Sequence, residues 1–161
     1  DFYRKEAENG ISLDYYTTII DWLNNLYVRN GKFSYAYQLI KQNMRTLKAI
    51  YKIDHEKYSK ITNRIFVNHS LCLIFERQYS EAEKCSKEAL RVDSTQHMAY
   101  TNLAAAYLFQ GKYNAAEKVY RQYKAELKKT FLNDFEEFAK AGVIPVERMA
   151  DVEKIRKMLN D

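Results

Sequence analysis

The feature that most constrains this chain is a recurrence of side-chain sizes at a fixed interval. Ser70 and Ala104 lie 34 residues apart, as do Tyr79 and Tyr113, Ala82 and Ala116, Glu83 and Glu117, and Lys84 and Lys118. The stretch from Tyr100 to Tyr120 reads YTNLAAAYLFQGKYNAAEKVY, and that from Phe66 to Ser86 reads FVNHSLCLIFERQYSEAEKCS. An earlier copy from Ile20 to Ile40, IDWLNNLYVRNGKFSYAYQLI, carries Leu23, Tyr27, Gly31, Phe33 and Ala36 at matching places. A period of this length marks units that cannot bury their apolar faces singly and must stack.

The residue types say what each unit is. Large apolar groups such as Leu103 and Tyr107 recur at helical spacing on a first helix. Ala104 is small, so a partner helix can come close. Gly111 lets the chain leave the helix with positive φ. Tyr113 packs under the turn, and Ala116 lets a second helix nest back on the first. With 4 Gly and 1 Pro in 161 residues, the chain is poor in turn formers, which favours helices over an all-β fold. Hydrophobic residues at 47% and charged residues at 29% place it among globular chains.

The run Leu103-Ala104-x-x-Tyr107-x-x-x-Gly111-Lys112-Tyr113-x-x-Ala116 resembles a tetratricopeptide repeat, and the resemblance extends over residues 17–130 in three copies. The middle copy departs by placing Arg77 where the turn glycine is expected, and Leu73 where the others have Tyr27 and Tyr107. The resemblance implies an all-α fold, a right-handed α-α superhelix of about eight helices in a single domain. Units are expected at 17–50, 63–96 and 97–130. Residues 1–16 read as the end of a preceding unit or a linker, with residues 1–10 the tail of a second helix. Between Ala36 and Ala82 the interval is 46 residues, so twelve extra residues around 51–62 lengthen the flanking helices, with Asp54 an N-cap. Residues 131–161 form a C-terminal cap. Its first part has Phe131, Phe135 and Phe138 on one face, and its last helix carries a stripe of Val146, Met149, Val152, Ile155 and Leu159.

The same resemblance implies a non-catalytic scaffold that binds a peptide or partner protein along the face lined by its first helices. Carried onto this sequence, the groove positions are Asp21, Asn25 and Arg29, then Arg64, Asn68, Leu71 and Phe75, then Met98, Thr101, Asn102, Ala105 and Phe109. Asn68 and Asn102 fall at one point of successive units, where side-chain amides can hold an extended peptide. Asp21, standing where a cation would help, argues against capture of a C-terminal carboxylate. An alternative reading is a regulatory or sensor segment of a larger protein.

No catalytic group, cofactor, metal site or small-molecule substrate is expected. His55, His69 and His97 stand on separate elements, and no phosphate loop, HExxH or GxSxG occurs. His69 reads as a buried core imidazole, and Glu83 and Glu117, beside Lys84 and Lys118, as a solvated helical face. Cys72 and Cys85 lack metal or disulfide spacing and read as buried structural thiols. The net charge is +5. Lys41, Arg45, Lys48 and Lys52 share one helix face, and Lys118, Arg121, Lys124 and Lys128 another. These are expected to serve solubility, with nucleic-acid binding a weaker alternative. No apolar run is long enough to span a membrane, and a cytoplasmic location is expected if no signal sequence precedes Asp1.

Overall fold

The computed structural model describes residues 12–161. The reading of residues 1–10 as a helix tail lies outside the described residues. Among those described there are eight α-helices and no strand. They are α1 (Leu13–Arg29), α2 (Phe33–Ile53), α3 (His55–Phe75), α4 (Tyr79–Val92), α5 (His97–Phe109), α6 (Tyr113–Gln122), α7 (Lys124–Lys140) and α8 (Met149–Asn160). A 3-10 turn, Val146–Arg148, precedes the last.

The helices form antiparallel pairs, and each first helix packs both on its own partner and on the first helix of the next pair. The small residues sit where the helices cross: Ala36, Ser70, Ala82, Ala104 and Ala116 are all fully buried. The expected insertion makes α2 and α3 the longest helices, 21 residues each. Asp54 parts them as N-cap of α3, its Oδ1 accepting from the Lys57 amide at 2.9 Å.

Each hairpin turn closes in the same way. The amides of Lys32, Gln78 and Lys112 donate to the carbonyls of Tyr27, Leu73 and Tyr107, five residues back. Gly31 and Gly111 take positive φ there, and Arg77 takes φ +57° in their place. A Cβ at Gly111 would come within 2.6 Å of the Arg148 guanidinium, the flexible end of a long side chain that can swing aside, so the positive φ is what favours glycine there.

The C-terminal segment is more than a lid. Val143 N donates to Phe138 O, and Gly142 has φ +65°, so α7 and α8 repeat the same turn and form a fourth, divergent hairpin. Its first helix starts at Lys124 after a bend at Tyr123, not near residue 130, because Tyr123 stacks on Tyr100 at 4.1 Å and turns the chain there. Phe131, Phe135 and Phe138 are 1% exposed, as their spacing implied. Val152, Ile155 and Leu159 are buried. Val146 and Met149 are not, at 86% and 48% exposure: Val146 lies in the 3-10 turn before α8, and Met149 is the first residue of that helix.

Candidate functional site

The positions expected to line a groove divide into two sets. Asp21, Thr101, Asn102, Ala105 and Phe109 are buried, whereas Arg29, Arg64 and Met98 are exposed and Asn25, Asn68, Leu71 and Phe75 are half-buried.

The buried set is taken up by seams between successive first helices. Arg64 of α3 grips the Asp21 carboxylate of α1 through Nε and Nη2, and this bond raises the Arg64 pKa further. Asn68 donates to Asn25 Oδ1 at 2.9 Å, while Asn25 donates back to Asp21. Asn102 donates to Val67 O and to Ser70 Oγ, each at 2.8 Å. Thr101 bonds the Asp134 carboxyl of α7, which burial drives up to about 7. Asn68 and Asn102 therefore do recur at one structural place, each donating to the first helix of the preceding unit. Thr101, Asn102 and Phe109 are buried within the stack.

Phe75 and Phe109 pack between units. Each ends a first helix and receives the turn aromatic of the unit before it. Phe33 stacks on Phe75 at 3.6 Å, and Tyr79 meets Phe109 edge-on at 5.4 Å. Phe138 then closes over both, 5.5 Å from Phe75 and 5.6 Å from Phe109.

Glu83 is not on a solvated face. It is 9% exposed and bridges units through Lys87, Lys112 and Gln110. Burial opposes its charge, yet these hydrogen bonds hold its carboxyl down at about 2. Glu117 pairs with Arg121 on its own helix at 2.8 Å. The histidines have local duties: His55 packs edge-on against Tyr51, His97 Nδ1 lies 3.0 Å from Glu126, and His69 is buried flat against Tyr37. Burial raises both thiols to about 12, so Cys72 and Cys85 stay protonated. The second basic face is partly committed, since Lys124 donates to Met158 O and Arg121 to Glu117. No group of three or more potential metal ligands occurs among the described residues. None of their helices is long and apolar enough to cross a membrane.

A surface that the sequence reading missed lies on α1. Tyr15, Ile19, Trp22 and Leu26 are 64%, 41%, 62% and 41% exposed and share one helix face. Moved one unit along, Ile19 and Leu26 become Ile65 and Cys72, then Ala99 and Ala106, all 0% exposed. In those later units the face is covered by the preceding hairpin; on α1 no described residue covers it. The available signal was the mismatch between Trp22, large and apolar, and its polar counterparts Asn68 and Asn102.

The tetratricopeptide repeat family matches residues 99–124, which span α5 and α6. No curated protein matches the chain, and no solved structure does. The matched repeat, the three recurrences of its turn and the stacking of successive pairs give the described residues an all-α fold of the tetratricopeptide-like helical-repeat kind, and the repeat itself is a unit found in protein–protein interaction modules.

Proposed function

We propose that the chain is a non-catalytic scaffold that binds a helix of a partner protein against the face of α1 that no described residue covers, at the edge of the surface formed by the first helices. The observation that carries this reading is the apolar stripe of Tyr15, Ile19, Trp22 and Leu26, since the equivalents of Ile19 and Leu26 in the next two units, Ile65, Cys72, Ala99 and Ala106, are fully buried. A contiguous apolar patch of this kind is costly to leave in water and marks interaction surfaces. Spacing of four, three and four residues suits an amphipathic helix, which offers anchors at the same intervals. Arg29 stays exposed at the end of α1 and favours an acidic residue at the rim of the partner. Asn25 and Asn68 supply polar contacts where their seam opens to solvent.

Trp22 is the sole tryptophan, so its emission reports on this face without labelling. Binding of a partner is expected to shift that emission to shorter wavelength as the indole leaves water. The pair Ile19→Ser and Leu26→Ser should weaken the same partner by at least about tenfold, since each removes one buried aliphatic anchor. A partner that binds wild type and this double variant equally, with Trp22 emission unmoved, would overturn the assignment.

A further inference from the structure

α2 and α4 pack on α3 from two sides, and a cavity of about 540 Å³ opens between them. Its volume lies in the range of small-molecule sites, about 300–1,000 Å³. The interior is apolar, built from Met44, Phe66, Leu73 and Cys85 with the ring of Tyr37. The cleft runs on into a second cavity of about 180 Å³ that shares Lys48, Phe66 and Glu88 with the first, so the space is long rather than round.

Two observations point to what it holds. His69, 7% exposed, lines the cavity and its Nδ1 finds no partner among the described residues. Burial, and then the field of Lys48, keep this imidazole neutral with a pKa of about 4. The second observation is charge. Lys84 is paired with Glu81, and Glu88 with Arg91, each at 2.7 Å. Lys41 and Lys48 have no carboxylate partner among the described residues; Lys41 engages the Tyr37 hydroxyl and lies 5.2 Å from the Tyr37 ring centre. The rim thus presents two cations that no described carboxylate neutralises, above an apolar channel containing one unpartnered polar atom.

We propose that this cleft is a binding site for a small linear amphiphile with one anionic head, a free medium-chain carboxylate, whose tail lies along Met44, Phe66 and Cys85 and whose head is held by Lys48 with Lys41. The basic face of α2 thereby has a use beyond solubility. This site is separate from the α1 face, and neither depends on the other.

The chain's four methionines make the test direct. Met44 lines the cavity, while Met98, Met149 and Met158 lie on α5 and α8. With methionine methyl groups labelled with carbon-13, titration of the full chain with decanoate is expected to move the Met44 signal saturably and leave the other three in place. Decyltrimethylammonium, with the same tail and the opposite charge, should not move it. Lys48→Gln should weaken decanoate binding by about tenfold through loss of a charge-assisted contact. Cys85→Trp should abolish it by filling the channel, with unchanged helical circular dichroism showing that the fold persists. Met44 unmoved at millimolar decanoate, all four signals moving together, or Lys48→Gln binding as wild type would each overturn the proposal. If Cys85→Trp unfolds the chain, Lys48→Gln and the cationic amphiphile still decide it.

Discussion

Arg64 reaches from α3 to the Asp21 carboxylate of α1, with Nε 2.8 Å from Oδ1 and Nη2 engaging Oδ2. The Asp21 side chain is 10% exposed and that of Arg64 54%, so the pair sits at the edge of a seam with its acid inside. Such two-pronged contacts between guanidinium and carboxylate are stronger than single ones. Arg64→Ala leaves the acid with Asn25 as its remaining side-chain partner. We expect a loss of about 1–2 kcal/mol, since solvent screens the outer half of the pair. A double-mutant cycle with Asp21→Asn, read by urea unfolding, checks it; a coupling near zero would show that the pair is ornamental.

Asn24 occupies the small-residue position that holds Ser70 and Ala104 in later units, and it is 0% exposed. Its side-chain oxygen and nitrogen both lack a hydrogen-bond partner among the described residues. Asn24→Ala removes two stranded polar atoms and restores the residue size the repeat favours. A gain of about 1–2 kcal/mol is expected, seen as a melting temperature several degrees higher by calorimetry. A lower melting temperature would show that Asn24 contributes through packing.

Arg77 holds a left-handed backbone that costs a side-chain-bearing residue about 1–2 kcal/mol. In return its guanidinium donates to Gly142 O at 2.7 Å and, with Tyr79 OH on Val143 O, fastens the α7–α8 turn. Arg77→Gly and Arg77→Ala both remove that clamp, so the difference between them isolates the backbone. The glycine variant should be more stable by about 1 kcal/mol. Equal stabilities would mean that the turn relaxes when the guanidinium is gone.

Phe138 sits at the junction of three units, 1% exposed and in ring contact with Phe75 and Phe109. Phe138→Ala should cost about 3–5 kcal/mol. Hydrogen exchange should accelerate first in α7 and α8, which the ring holds to the rest of the stack. Uniform acceleration through α1 would indicate instead that all four hairpins unfold as one unit.

His69 gives stability a pH dependence of known sign. Its pKa falls from 6.5 to about 4 on folding, first by burial and then by the charge of Lys48. Between these values the unfolded chain takes up a proton that the folded chain refuses, so stability declines as pH drops from 6.5 towards 4. The full decline is about 3 kcal/mol. Asp134 acts in the opposite sense: its pKa rises from 3.8 to about 7, so its contribution is present at low pH and lost as pH climbs through that value. Comparing wild type with His69→Gln removes the Asp134 background. The variant should gain on wild type by about 2–3 kcal/mol between neutral pH and pH 4. A constant difference would show that His69 is protonated as freely in the fold as in the unfolded chain.

The repeated sizes along the chain determined the helical pairs, the turn at Gly31, Arg77 and Gly111, the close crossings at Ala82 and Ala116, and the cap at Asp54. These depend on residues within a few positions of one another and on backbone conformation, both of which a single sequence displays. Tertiary structure decided that Thr101, Asn102 and Phe109 are seam residues, that Glu83 is a buried bridge, and that α7 and α8 make a fourth pair. It also opened the cleft beneath Lys48 and left Trp22 without cover from any described residue. Each of these depends on which distant segment lies against a side chain, as Arg64 does against Asp21 across 43 positions. A helical period marks which way a residue points, but its exposure depends on whether a neighbouring helix is packed there.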